Sequence, residues 1–289
     1  MKIMKKMIRR TIAVLAVLCI TGMPVTAYGM VRTPIASGSV TYGNGKVTID
    51  ASNAGQGYVM IKYTGSNGKI KVQISKGTTY TYNLNARDAY EVFPFTEGSG
   101  SYSVKVFENV SGNQYAQACS QNIQVSLENE YTPFLYPNQY VNFNQNSAAV
   151  AVSNQVAAGA ADQLSIVTNV FNYVVENLTY DYNKAATVQS GYLPNVDSTL
   201  ATRNGICFDY ASLMTSMLRA QDIPTKLVVG YTGELYHAWI SVYLQNQGWV
   251  DNVIYFDGAN WSLMDPTFAS SGGKALGAGN SSYQAKYAY

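Results

Sequence analysis

Histidine and cysteine are nearly absent: the 289-residue chain has one histidine, His237, and three cysteines, Cys19, Cys119 and Cys207. So small a supply excludes a disulfide-stapled scaffold and the usual zinc ligand sets, which draw on several Cys and His together. Charge is scarce as well, at 12% of residues. No EF-hand loop and no phosphate-cradling Gly-Lys-Ser/Thr occurs, since Gly272-Gly273-Lys274 runs on into Ala275 and reads as a loop. No metal or organic cofactor is implied. Tyrosine and glycine are plentiful, at 24 residues each, and with the many Asn and Ser they give the composition of an extracellular or surface protein.

Positive charge is concentrated at one end. Lys2, Lys5, Lys6, Arg9 and Arg10 precede an uncharged apolar run over residues 11–20, and Val25 and Ala27 supply the small side chains that a signal peptidase accepts. Residues 1–27 therefore read as a secretory signal peptide. The alternative is an uncleaved anchor, against which stand the brevity of the run and Pro24. Leu18 before Cys19 does not make a lipoprotein box. The segment holds five of the 19 basic residues and none of the 17 acidic ones, so 14 basic residues face 17 acidic ones in the remainder. That remainder is no polycation, and neither nucleic-acid binding nor a polybasic membrane patch is supported. Membrane contact is expected only through the signal segment. Residues 270–289 contain no sorting motif or second apolar run, so release or loose surface association is expected.

From residue 28 to 127 the pattern is of short alternating runs divided by Gly, Asn and Ser. Val47 and Ile49 alternate with polar residues, as do Ile70, Val72 and Ile74, then Tyr102, Val104 and Val106, then Ile123 and Val125. Seven or eight such runs without helical periodicity predict an antiparallel β-sandwich. Asn67-Gly68, between runs at 57–63 and 69–75, predicts a tight hairpin because both residue types tolerate positive φ. Nothing in this part has catalytic character, and it reads as a spacer and fold partner rather than a binding module. Residues 128–146, with Pro133 and Pro137 and no period, read as a linker.

A second domain, residues 147–289, begins with a short helix at 147–158 and a firmer one at 162–178, where Leu164, Val167, Phe171, Val174 and Leu178 form one stripe. Residues 189–200 read as a loop leading to the turn Arg203-Asn204-Gly205. That turn delivers Cys207 to the start of a helix whose Cys207, Ala211, Met214 and Leu218 share a face, and which ends before Pro224. A helix N-terminus favours a thiolate over a thiol. A thiolate nucleophile needs an imidazole to take and return a proton, and His237 is the only one in the chain.

Residues 226–231 predict a central strand. Residues 236–244 alternate, with His237, Trp239, Ser241 and Tyr243 opposite an aliphatic face. A return strand at 249–251 and another at 261–265 bring up Asp251 and Asp265. Either could orient the imidazole, and Asp265, just before Pro266, is preferred. Asp209 complements the helix dipole. A Cys119–Cys207 disulfide is the competing use of the two later cysteines and would disable the site.

Gly205-Ile206-Cys207-Phe208-Asp209-Tyr210-Ala211, then Gly230-Tyr231 before Tyr236-His237-Ala238-Trp239, then Trp249 and Asp265-Pro266-Thr267, resemble the signature blocks of the bacterial transglutaminase-like superfamily. The resemblance covers residues 146–268, and Tyr180-Asp181-Tyr182 and Leu218 to Pro224 share it. It implies a papain-like α+β core after the sandwich, with Cys207 as nucleophile, His237 as general base and acid, and Asp265 as orienting carboxylate. It further implies an oxyanion hole that includes the Cys207 N–H, with Tyr180, Tyr182 and Tyr192 as candidates for the second donor, and a protein or peptide substrate. Acyl transfer to water would make the protein a protease or amidase, and transfer to an amine a cross-linking enzyme. The rival from another class is a cell-surface adhesion protein carrying an inactive core of this kind.

Overall fold

The computed structural model describes Gly29 and residues 31–251, 255–256, 261–262 and 283–289. Its first part is the sandwich that the alternation predicts. The strands are β1 (Thr41–Gly43), β2 (Val47–Asp50), β3 (Tyr58–Tyr63), β4 (Ile70–Ser75), β5 (Thr79–Asn83), β6 (Tyr90–Pro94), β7 (Gly100–Ser111) and β8 (Gln114–Val125). They form two antiparallel sheets, ordered β1-β2-β3-β6 and β5-β4-β7-β8. The period-2 residues Val47, Ile49, Val59 and Ile61 of one sheet and Val72, Ile74, Val104 and Val106 of the other are buried between them.

The Asn67-Gly68 turn is a correction. The strands it joins, β3 and β4, lie in different sheets, so it is a crossover and not a hairpin. Neither residue takes positive φ. The Asn67 side chain instead accepts from Lys69 N (3.0 Å) and donates to Asn109 O (2.7 Å), which carries the chain across the edge of the sandwich.

Residues 128–146 form a packed strap rather than a loose connection. A 3-10 turn at Thr132–Leu135 is wholly buried, as are Asn138, Gln139, Val141 and Phe143 further along.

The second part holds α1 (Ala148–Ala157), α2 (Gln163–Asn177), β9 (Thr179–Tyr180), α3 (Tyr182–Thr187), α4 (Val196–Thr202), β10 (Asn204–Gly205) and α5 (Cys207–Arg219). After these come β11 (Thr225–Thr232), β12 (Leu235–Leu244), β13 (Gly248–Val250), β14 (Tyr255–Phe256), β15 (Trp261–Ser262) and β16 (Tyr283–Ala288). An antiparallel sheet ordered β13-β12-β11-β16 packs on α5, with α1, α2 and α4 around it. The molecule is thus α+β, with antiparallel sheets first and the helices concentrated in the second part.

Two details differ from the periodicity reading. The stretch read as a loop over residues 189–200 runs into α4, which begins at Val196 and has no apolar period. Asn195 caps it by accepting from Ser198 N (2.9 Å), and it buries only Val196 and Thr199. Helix α5 shows one apolar stripe in sequence yet is buried all round, from Asp209 to Arg219. Ser212, Thr215, Ser216 and Arg219 cover the remaining faces, because the strap and the sheet enclose the helix.

Candidate active site

Three backbone devices set Cys207 in place. Arg203 ends α4 in the left-handed region at φ 52°. β10 then pairs in parallel with β9, so that Thr179 N donates to Arg203 O and Asp181 N to Gly205 O, both at 2.9 Å. Finally the Asp209 carboxylate folds back and accepts from Ile206 N (2.8 Å), capping α5 from within. Gly205 is required by this last step. A Cβ at that position would stand 2.7 Å from Asp209 Cβ, closer than carbon atoms approach. Cys207 occupies the first turn of the helix, where backbone N–H groups have no intrahelical acceptor.

His237 arrives on β12, opposite Gly230 of β11. Gly230 accommodates the neighbouring strand: the Gln284 carbonyl of β16 would lie 2.0 Å from a Cβ there. The imidazole is 9% exposed and stacks at 6.5 Å from the Trp239 ring. Both faces of β12 are covered, since Trp239 and Ser241 are as buried as Ala238 and Ile240. The face carrying His237 is therefore an aromatic and polar layer, not an open surface.

Cys207 and His237 line one cleft of about 570 Å³. Six aromatic rings line it: Tyr140 from the strap, Tyr180, Tyr192, Phe208, Tyr236, and Tyr289 after β16. Tyr140 touches both Phe208 (ring centroids 5.7 Å) and Tyr289 (4.4 Å), and burial pushes its hydroxyl up to about 12. The strap thus supplies a wall of the cleft, which nothing in its aperiodic sequence signals.

Asp265 lies outside the described residues. Asp251 is described and exposed, and it is not part of the cleft wall. Its charge acts on Lys226, whose ammonium is pulled down by burial and pulled up, less strongly, by Asp251 and Glu130. Trp239 and Trp249 are walls of the core, the latter against Phe134 and Lys226. Cys119 sits on β8 of the sandwich, and both it and Cys207 are free thiols.

Beside the thiol lies a cluster that residue-by-residue reading underrated. Asp209 is fully buried. It pairs with Lys184 Nζ at 2.7 Å and accepts from Tyr192 OH at 2.5 Å. Lys184 also donates to Tyr192 OH (2.7 Å). Burial pulls the Lys184 ammonium down, but Asp209 and Tyr192 outweigh it and hold the group above its ordinary value. These contacts clamp α3 and the segment after it onto the start of α5. They also commit the Tyr192 hydroxyl proton to Asp209. Of the three tyrosines considered as oxyanion donors, Tyr180 lines the cleft and Tyr182 stands exposed outside its wall. The described residues contain no group of three or more side chains placed to hold a metal ion, and no helix long and apolar enough to cross a membrane.

Comparison with known proteins bears on this second part of the chain. Residues 150–252 match the model of the transglutaminase-like superfamily core. The YebA protein of Bacillus subtilis is 31% identical over 101 residues, which is 29% of this chain and 13% of that protein. A protein-glutamine gamma-glutamyltransferase of Pseudomonas aeruginosa is 32% identical over 123 residues, 36% of this chain and 18% of that protein. The chain spans between 13% and 28% of the length of the curated relatives it matches. Among solved structures, the periplasmic domain of TgpA from Pseudomonas aeruginosa aligns over 80% of this chain and 98% of its own, at 16% identity and a TM-score of 0.37. Residues 150–252 are thus a transglutaminase-like core, and Cys207 and His237 both fall within it.

Proposed function

We propose that the protein is an exported cysteine enzyme of amide acyl transfer, with Cys207 as nucleophile, His237 as base and acid, and Asp265 as the carboxylate that orients the imidazole. The observation that carries the reading is that the single histidine and a free cysteine at a helix N-terminus line the same cleft. The role of Asp265 rests on its position in the sequence alone. Export rests on the basic and then apolar start of the chain.

The chemistry follows from the groups. The imidazole takes the thiol proton, the sulfur attacks the amide carbonyl carbon, and a C–S bond forms. Negative charge moves onto the carbonyl oxygen, to which backbone N–H groups at the start of α5 donate hydrogen bonds. The C–N bond then breaks and the amine leaves with the proton held by the imidazolium. Water or a second amine attacks the thioester carbonyl, the C–S bond breaks, and the proton lost by the attacker returns through His237 to the sulfur. Hydrolysis makes the protein an amidase or protease, and amine attack makes it a cross-linking enzyme.

Two measurements test this. Cys207 is expected to react with iodoacetamide at neutral pH faster than a free thiol. Amide turnover is expected to vanish in Cys207→Ala and to fall on the order of 10²–10⁴-fold in His237→Ala. If the thiol reacts no faster than a free one and His237→Ala changes nothing, the reading fails. Mass spectrometry of the species trapped on Cys207, with and without an added primary amine, separates the two fates of the thioester.

A further inference from the structure

The core exposes few large apolar side chains, and those it exposes are not scattered. Among the described residues after the sandwich they are Tyr182, Val188, Tyr231, Leu235 and Tyr236, between 37% and 59% exposed. All five stand at the cleft. Val188, Leu235 and Tyr236 are part of its wall, Tyr182 packs on the wall residue Tyr180 (4.9 Å), and Tyr231 packs on Tyr236 (5.3 Å). They come from two stretches of the rim of the cleft that holds the thiol, one from α3 and the residue after it, the other from the β11–β12 hairpin.

Formal charge is sparse in the described part of the same wall. No Asp, Glu, Lys or Arg lines the cleft among the described residues. The partly exposed Lys184 ammonium, which reaches the wall residue Tyr192, is paired with the buried Asp209 carboxylate. The charge borne by the tip of the β11–β12 hairpin is the exposed acid Glu234. An apolar surface concentrated at a reactive cleft is costly in water unless something of like character covers it in use.

We infer that the acyl donor is a peptide segment with an aromatic or large aliphatic side chain beside the attacked amide and no acidic side chain there. This rests on the acyl-transfer reading for the identity of the amide, and on the rim for its neighbour. The aromatic or aliphatic side chain settles between Tyr236 and Leu235 on one stretch of the rim and Val188 on the other. A carboxylate in that position would be desolvated against rings, with Glu234 next to Leu235 in the chain and no Lys or Arg in the described wall.

The test separates binding from chemistry by using the full chain with Cys207→Ala, which cannot react. Three labelled Gly/Ser peptides with one glutamine, flanked by Phe, Gly or Asp, are titrated against it by fluorescence anisotropy. The Phe peptide is expected to bind at least tenfold tighter than the Gly peptide, and the Asp peptide more weakly than either. Adding Leu235→Ser and Tyr236→Ser is expected to reduce the Phe preference on the order of tenfold, whereas Val110→Ser, on the exposed end of β7, leaves it unchanged. Equal binding of the three peptides, or a preference for Asp, overturns the inference even if the rim variants fold poorly, since that comparison needs no rim variant. Selective binding by Cys207→Ala without turnover by the parent chain would overturn the reaction reading and leave this one standing.

Discussion

At the level of single residues, the carboxylate of Asp209 is the group on which the site's geometry turns. It accepts from Ile206 N, Tyr192 OH and Lys184 Nζ with no exposure to solvent. Removing a buried, fully engaged charge leaves each of its donors to find water or go without. Asp209→Ala is therefore expected to cost about 2–4 kcal/mol in urea unfolding. Asp209→Asn should cost less, because its side-chain oxygen can still cap Ile206 N. The sign of the pH dependence follows from Lys184. Its folded-state value is raised, so the ion pair's contribution is fully present below the ordinary lysine value of about 10.4 and is lost as pH rises through the higher folded one. A cost for Asp209→Ala that is the same at pH 8 and well above pH 10.4 would show that the hydrogen bonds, not the charges, do the holding.

At the level of elements, helix ends decide what periodicity leaves open. Asp162 starts α2 by accepting from Ser165 N (2.8 Å) and Ser165 Oγ (2.6 Å), and the hydroxyl first and then the backbone N–H hold its carboxyl below the ordinary range. Asp162→Ala is expected to cost about 1 kcal/mol at neutral pH. A depressed carboxyl stabilises above its unfolded value, about 3.9, and loses that contribution as pH falls through the folded one, so the gap between variant and parent should close in acid. A gap that persists at pH 2 would sink the carboxylate account.

The same contrast explains what could be read in advance. The sandwich strands and α2 follow from apolar spacing, which is local, and the start of α5 follows from Gly205 and Cys207 in one turn. The exchange of a hairpin for a crossover at Asn67-Gly68 depends on Asn109, forty-two residues away, and α4 depends on a cap with no stripe behind it. Cys207 and His237 were legible because the chain has so few residues of either type. Tyr140, Tyr289 and the Lys184–Asp209 pair were not, since no spacing in sequence relates a strap, the residue after β16 and a helix start.

For the whole molecule, the sandwich and the transglutaminase-like core share one continuous apolar interior. Tyr80 and Tyr82 of β5 meet Tyr289 edge-on at 5.6 and 6.0 Å, and Tyr82 also meets Tyr140 at 5.9 Å, so rings of the sandwich back the rings that wall the cleft. Arg219 completes the connection from the other side. It is fully buried, pairs with no Asp or Glu side chain among the described residues, and donates to backbone oxygens of Tyr136 in the strap (2.5 Å), Thr225 at the start of β11 (3.0 and 2.8 Å) and Tyr289 (2.7 Å). Burial pulls its guanidinium down to about 9, which leaves it a cation at neutral pH. Arg219→Met fills similar space but abandons three buried backbone oxygens. Relief of the cation's desolvation offsets part of that loss, and a net cost of about 3 kcal/mol is expected. A continuous interior predicts one unfolding transition for both parts, with a midpoint lowered by about 6–12 °C in the variant. Lysine should not restore it, because a single ammonium cannot span backbone oxygens from three segments as a planar fork does. Two separate transitions in the parent would mean that the shared tyrosines do not couple the parts. A variant as stable as the parent would mean that ring packing alone holds the strap against α5.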